Sequence, residues 1–225
     1  MEVVVNRKGF EKFIRAIDKA KDGIFAGSEI EITKNGMKAK IVDGGRVFLV
    51  KTWLACMGKG DATISIDTEK VLKLLKLIKD DTLTLKIDKN KLWINNNIGV
   101  GLIDSSQSQF REPELTLDIT AQLDLSKLHS IVKTGMGIAE CCKLIAKDGK
   151  LIIEIEGDVD IIKFELAEAQ GEGKALYSLE LLDNLLKGHD CAGKLEFGTD
   201  KPLRIKIDEG DFKVEYLLAP RIESD

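Results

Sequence analysis

The sequence has few of the patterns that mark a membrane protein, a metalloprotein or a secreted protein. No apolar run is long enough to cross a bilayer, and the first ten residues lack the charged-then-apolar order of a signal peptide. The four cysteines show no C-x-x-C spacing, and with only two histidines no zinc-ligand set is recognisable. We therefore expect a cytoplasmic protein with reduced thiols, no metal and no cofactor.

Catalytic signatures are also missing. His189-Asp190-Cys191 places a base beside a nucleophile, but adjacent side chains usually point apart and no known cysteine-enzyme motif surrounds them. Gly99-Val100-Gly101 lacks the rest of a dinucleotide-binding fingerprint and lies in a strand pattern. The simpler interpretations are a chance triplet and a strand with a bulge or close packing at its glycines.

The charge is unevenly distributed along the 225 residues. The net charge is −4, which alone argues against nucleic acid as a partner. Residues 1–112, however, carry 20 Lys and Arg against 15 Asp and Glu, a net charge of +5. Residues 113–225 carry 14 Lys and Arg against 23 Asp and Glu, a net charge of −9. A basic half and an acidic half can attract each other between copies, and they allow a local basic patch on an acidic protein.

The stretch Thr68–Lys79 reads TEKVLKLLKLIK and predicts an amphipathic helix with Asp67 as its N-cap. Its apolar residues fall on one face, and four lysines spread over the opposite face with Glu69 as the one acid. Lysines without partners repel each other, so the face is either simply solvated or neutralised by a polyanion. The helix alone does not decide between these interpretations.

A second helix with the same layout is predicted over Arg7–Lys21. Its apolar residues share one face, and its cationic residues form a narrow stripe roughly opposite. Two helices therefore repeat one arrangement with different residues. The apolar face consists of Phe10, Phe13, Ile14 and Ile17, and the stripe consists of Lys8, Lys12, Arg15 and Lys19.

The second half of the chain repeats the plan of the first. Further helices are predicted over Asp124–Thr134 and Tyr177–Leu186, and the hairpin turns Asn35-Gly36 and Asp148-Gly149 lie about half a chain apart. An internal duplication is the simplest interpretation. We predict an α+β fold with antiparallel sheets and two helices in each of two similar domains.

The predicted domains are residues 1–104 and 115–225, joined by a polar connector over 105–114. Each has a strand that we expect at a sheet edge, Ile98–Ile103 in the first domain and Asp160–Ala167 in the second. Pairing of these edges between copies is head-to-tail, and such contacts close into a ring when the rotation allows.

Four stretches, in order along the chain, resemble the archaeal form of the PCNA family of DNA sliding clamps. The resemblance covers essentially the whole chain, helix for helix. The stretches are Ile41–Val47 (IVDGGRV), Tyr177-Ser178-Leu179 with Leu182, Gly198–Leu203 (GTDKPL) and Tyr216–Arg221 (YLLAPR).

The resemblance implies a DNA-clamp fold and a ring, usually a trimer, that encircles duplex DNA. Such a ring is not an enzyme; it tethers polymerases, nucleases and ligases through short peptide motifs, and a clamp loader opens it. By position, the phosphate-contacting residues are Lys12, Lys73, Lys76, Lys133 and Lys187, to which helical spacing adds Lys8, Arg15 and Lys70.

Two protein-binding surfaces are expected, a subunit interface on the edge strands and, from the resemblance, a partner-peptide pocket. The subunit interface is expected at Ile98, Val100, Leu102, Ile162 and Phe164, and the partner-peptide pocket at Val42, Val47, Leu49, Phe110, Pro113, Pro202, Leu217, Ala219 and Pro220. Glu180 stands where a basic or neutral residue is expected, and the connector has few aliphatic residues. An alternative is therefore a clamp-fold scaffold, or one subunit of a mixed ring, with little DNA binding of its own.

Overall fold

A computed structural model of the chain describes residues 1–20, 28–104, 112 and 114–222. The residue contacts divide the chain into two units. Unit 1 comprises Met1–Arg111 and Asp208–Val214, and unit 2 comprises Glu112–Ile207 and Glu215–Asp225. The short segment Asp208–Val214 thus belongs to unit 1 although it lies late in the chain. The domain boundaries proposed from the sequence stay a prediction.

Unit 1 contains two helices and two sets of antiparallel strands. One set has the order β5-β1-β7-β8-β9, and the other has the order β4-β3-β2-β6. The elements are β1 (Glu2–Asn6), α1 (Arg7–Asp18), β2 (Ser28–Thr33), β3 (Gly36–Val42), β4 (Phe48–Leu54), β5 (Met57–Lys59), β6 (Ala62–Ile66), α2 (Thr68–Leu75), β7 (Thr82–Asp88), β8 (Lys91–Ile94) and β9 (Ile98–Gly101).

Unit 2 repeats this arrangement. Its elements are β10 (Ile119–Asp124), α3 (Leu125–Gly135), β11 (Cys141–Lys147), β12 (Lys150–Glu156), β13 (Ile161–Gln170), β14 (Gly173–Ser178), α4 (Leu179–Leu186), β15 (Ala192–Phe197), β16 (Leu203–Asp208) and β17 (Phe212–Leu218), the last of which begins in the unit 1 segment Asp208–Val214.

The strand orders show that the two units are copies of one plan. The series β6-β2-β3-β4 corresponds to β14-β11-β12-β13, and β1-β7-β8-β9 corresponds to β10-β15-β16-β17. The three residues of β5 pair with β1, just as Ala169 and Gln170 at the end of β13 pair with β10. The repeat predicted from the turns and helices therefore agrees with the topology.

Each helix begins directly after a strand, at a side chain that caps its first turn. The carboxylate of Asp67 accepts from the backbone N–H of Lys70 at 3.1 Å, and that of Asp124 accepts from Ser126 at 2.8 Å. The predicted N-cap at Asp67 is confirmed. Tyr177 and Ser178, predicted to be helical, instead end β14, because the hydroxyl of Ser178 caps α4.

The lysine-bearing helix is shorter than the sequence predicts. It ends at Leu75, and the next residues form tighter turns in which Leu77 N donates to Leu74 O and Ile78 N donates to Leu75 O. Ile78 is buried in this turn, as its place on the apolar face predicts, and Leu77 is exposed. The first helix likewise ends at Asp18, and Lys21 lies outside the described residues.

A charged network covers one face of strands β15 and β16 in unit 2. Glu196 has a 13% exposed side chain and lies 2.7–3.2 Å from Lys194, Arg204 and Lys206. Burial alone would raise the pKa of this carboxyl. The hydrogen bonds from the three cationic side chains outweigh burial and lower the pKa to about 2.

Candidate nucleic-acid interface and protein-binding edges

In unit 1, helices α1 and α2 lie side by side and bury their apolar faces. The hydroxyl of Thr68 at the start of α2 donates to the Asp18 carboxylate at the end of α1, at 2.6 Å. This packing directs the cationic residues of both helices outward. We call these residues the basic helix surface; they are Lys8, Lys12, Arg15, Lys70, Lys73 and Lys76.

Three members of the basic helix surface form ion pairs with acids of unit 1. Lys12 Nζ lies 2.8 and 2.7 Å from the two carboxylate oxygens of Glu209. Arg15 pairs with Glu11, one turn earlier, at 2.6 Å. The expectation that the lysines of α2 lack partners is wrong for Lys73, which pairs with the acid one turn before it, Glu69.

The other three members are exposed and make no ion pair with any acid in the part of the chain that the structure describes. These residues are Lys8, Lys70 and Lys76. All three side chains are directed into solvent from two adjacent helices. These three lysines can therefore bind phosphate oxygens without first breaking an ion pair. Lysine also lacks the planar, bidentate guanidinium with which arginine recognises base edges, so the contact would not depend on sequence.

The helix pair of unit 2 carries the remaining predicted cations, Lys133 on α3 and Lys187 at the end of α4, and both are exposed. Acids accompany them, because α4 contains Glu180 and Asp183. His129 Nε2 on α3 lies 2.9 Å from Asp183 Oδ1. Sequence reasoning missed this contact, and no local pattern signals a pair of residues 54 positions apart.

Strand β9 ends the five-stranded sheet of unit 1, since the described residues contain no strand beyond it. Ile98 is half-buried, and Leu102 follows the strand with its N–H bonded to Asn90 O at 2.9 Å. Val100 is fully buried within unit 1. As an interface residue it can contribute only its backbone, which corrects the expectation for its side chain.

Strand β13 in unit 2 has an open edge over most of its length. Only Ala169 and Gln170 pair with β10, so 161–168 border β12 alone among the described strands. Phe164 is 50% exposed on this stretch, and Ile162 is half-buried. Two large apolar side chains outside the predicted interface set are also exposed near the start of β13: Ile161 at 62% and Val159 at 92%.

The residues predicted to form the peptide pocket are divided between the units. In unit 1, Val47 is 40% exposed and Val42 is half-buried, whereas Leu49 is buried. Leu49 therefore belongs to the core of unit 1, which corrects its assignment as a contact residue. The loop that presents Val47 is closed by Asp43, whose carboxylate accepts from Phe48 N at 2.6 Å.

In unit 2, Pro202, Ala219 and Pro220 are half-buried, and Leu217 is buried. Leu217 thus offers its backbone and not its side chain. The tail bends back onto β14, because Arg221 N donates to Leu176 O at 2.8 Å. The two remaining predicted pocket residues, Phe110 and Pro113, lie outside the described residues.

His189, which the sequence placed beside a possible nucleophile, has a structural partner. His189 is buried, and its Nε2 lies 2.8 Å from the Tyr216 hydroxyl. Burial raises the pKa of Tyr216, so the hydroxyl is protonated. The described residues contain no group of three or more His, Cys, Asp or Glu that could hold a metal ion, and none of their helices is long and apolar enough to span a membrane.

The duplicated topology with two helices per unit defines a PCNA-like clamp fold. One solved structure with this fold is A. fulgidus PCNA bound to the C-terminal region of FEN-1. It superposes with a TM-score of 0.87 at 24% identity and covers 100% of this chain and 99% of that one. The PCNA2–PCNA3 complex from Sulfolobus tokodaii gives a TM-score of 0.82 at 18% identity, covering 99% of this chain and 100% of that one.

The chain belongs to the DNA polymerase sliding clamp family. It is 30% identical to the DNA polymerase sliding clamp of Methanosarcina mazei over 183 residues, which are 73% of this chain and 75% of the relative. It is 27% identical over 248 residues to that of Methanocella arvoryzae, covering 100% of this chain and 99% of the relative. A scan against protein-family models finds no match.

Proposed function

We propose that this protein is a DNA sliding clamp: copies join head-to-tail into a ring, usually a trimer in this family, that surrounds duplex DNA and tethers proteins acting on it. The single observation that carries the proposal is the combination, in a duplicated clamp fold, of an outward basic helix surface with two open strand edges. Non-enzymatic action in the cytoplasm, without cofactor or metal, is part of the same proposal.

The contact that we propose between copies has an equivalent inside unit 1. There the outer edge of β4 is filled by the segment Asp208–Val214, to which Thr52 Oγ1 and Ala55 N donate at 3.1 and 2.8 Å. In the repeat, β13 corresponds to β4 and β9 corresponds to β17, which begins in that segment. Pairing β9 of one copy with β13 of the next would repeat this contact, and a heterologous contact of this kind generates a ring.

The contact with DNA is proposed to be electrostatic and independent of sequence. Lysines on the helix surfaces attract phosphates and release counterions, and without base-edge contacts the ring is free to slide. We propose Lys8, Lys12, Arg15, Lys70, Lys73, Lys76, Lys133 and Lys187 as the residues that take part.

Partner proteins are proposed to bind through short peptides. The A. fulgidus structure holds the C-terminal region of a nuclease, FEN-1. For this chain we propose polymerase, clamp loader, nuclease and ligase as partners. Val42, Val47, Pro202, Ala219 and Pro220 have accessible side chains for apolar anchors. We propose that the tail backbone also pairs with the peptide as an added strand, in which Pro220, having no N–H, can only accept a hydrogen bond.

The oligomeric mass in solution tests the assembly. The chain has a mass of 24.9 kDa, so a trimer has roughly three times this mass. Phe164→Glu places a charge on the open edge of β13 and should convert the ring to monomers. Met57→Glu is the matched control, because Met57 is an equally apolar, 75% exposed residue on β5 of unit 1.

A trimer that Phe164→Glu dissociates and Met57→Glu leaves intact supports the ring. A trimer that survives Phe164→Glu contradicts the proposed joint. A monomer at all concentrations favours the alternative, one subunit of a mixed ring, for which the two-component PCNA2–PCNA3 complex of S. tokodaii is a structural precedent.

A further inference from the structure

The two helix pairs of this chain differ in charge. Helices α1 and α2 of unit 1 carry six cationic residues against three acids. Helices α3 and α4 of unit 2 carry two lysines and one histidine, His129, against two acids. Both pairs occupy the same place in the repeated plan, yet lysines and arginines outnumber the acids in the first pair and only equal them in the second.

The arrangement of the acids increases this difference. In unit 1, Glu11 and Glu69 are each engaged by a cation of the same helix, and Lys8, Lys70 and Lys76 are left without an ion pair to the described acids. These three exposed lysines retain their full attraction for phosphate.

In unit 2 the acids lie among the cations on the outer surface. Glu180 is exposed, and Asp183 is 27% exposed while it contacts His129. Lys127, the other cation of α3, directs its ammonium to the carbonyl of Glu165 at 3.3 Å. A phosphate near this surface meets two carboxylates together with Lys133 and Lys187, so attraction and repulsion nearly cancel.

We infer that the helices of unit 1 supply most of the attraction for the duplex, and that Lys133 and Lys187 of unit 2, the remaining proposed contacts, supply less because acids lie beside them. This inference rests on the proposed function. In a ring of several copies, each copy would then present one basic helix surface to the DNA. The duplex would be drawn toward the unit 1 surfaces, and phosphate contacts would exchange from one copy to the next during sliding.

Two matched double variants test the inference. Lys70→Gln with Lys76→Gln removes two positive charges from unit 1, and Lys133→Gln with Lys187→Gln removes two from unit 2. Both change the net charge by the same amount, and all four side chains are exposed, so folding is not at risk. The measurement is the association of each full-length protein with a fluorescent duplex between about 50 and 200 mM salt.

The unit 1 variant should reduce the slope of log affinity against log salt by about one unit or more, because each lost phosphate contact contributes about 0.9. The unit 2 variant should change the slope by less than half as much. Equal changes, or no change in either variant while the unmodified protein retains a steep slope, would overturn the inference. If the unmodified protein shows no salt-dependent association at all, the proposed function itself fails.

Discussion

Glu209 provides the sharpest single test of how the basic helix surface works. Its two carboxylate oxygens hold Lys12 Nζ at 2.8 and 2.7 Å, and both side chains are partly exposed, at 29% and 42%. Glu209 lies in a turn that two hydrogen bonds hold in place. Its backbone N–H donates to the carbonyl oxygen of Phe212, and the carboxylate of Asp208 accepts from the N–H of Gly210. The carboxylate is thus a positioned competitor for any phosphate that approaches Lys12.

The substitution Glu209→Gln removes this competitor without changing the size of the side chain. An exposed ion pair of this kind contributes roughly 0.2–1 kcal/mol, so freeing Lys12 should strengthen DNA association between about 1.4-fold and 5-fold for each Lys12 that contacts the duplex. The salt slope should become steeper by up to about 0.9 per new contact. The stability of the fold should fall by less than about 1 kcal/mol.

The assay is the association of a labelled duplex over a salt series, with thermal unfolding as the check on folding. Glu31→Gln is the control, because Glu31 also pairs with a lysine, Lys38, at 2.7 Å, but on strand β2 of unit 1. Both substitutions remove one negative charge from the protein. If Glu209→Gln and Glu31→Gln have the same effect, the gain reflects net charge alone and the argument about Lys12 is refuted.

Two further predictions concern stability and partner binding. In the native protein the pKa of Glu196 is lowered from 4.5 to about 2, so this carboxylate stabilises the fold by about 3 kcal/mol above pH 4.5, and the contribution disappears as the pH falls toward 2. Urea unfolding should therefore show a stability difference between the wild type and Glu196→Gln that is full at neutral pH and vanishes near pH 2; a difference independent of pH would count against the network. Val47→Asp should weaken binding of a FEN-1-type C-terminal peptide at least tenfold in calorimetry, because an apolar anchor would meet a charge, while Met57→Asp should leave it unchanged; equal affinities for both variants would remove Val47 from the binding surface.

The sequence predicts those parts of the fold that depend on local periodicity and turn chemistry. The apolar face of α1, with Phe10, Phe13, Ile14 and Ile17, is buried as expected, and Asp67 caps α2. The Asn35-Gly36 and Asp148-Gly149 turns join the predicted hairpins. These features are determined by residues within a few positions of each other, so a single sequence is sufficient to recognise them.

Features that depend on distant residues could not be predicted in this way. The helix α2 ends at Leu75 although the periodic pattern continues to Ile78, so its end cannot be read from the local sequence. Strand β5 has three exposed residues and exists because it pairs with β1, more than fifty positions earlier. Alternation in a strand does not distinguish the side chain that enters the core, as at Val100, from one that is free for an interface.

The same limit applies to the candidate site. Helical spacing identifies the cations of α1 and α2 as outward-facing, and it also brings Glu69 within reach of Lys73. It does not reveal Glu209 beside Lys12, since the two residues are 197 positions apart. The pairing of His129 with Asp183 joins two helices and has no sequence signature.

Retention on circular and linear DNA is the measurement that tests the sliding-clamp proposal most directly. After loading onto a nicked circular duplex, the protein should stay bound through a wash at a salt concentration that abolishes its simple association, because a closed ring cannot leave a circle. Cutting the same DNA once should release it through the ends. Equal retention on the circle and on the cut molecule, or equal loss from both, would contradict a topological clamp.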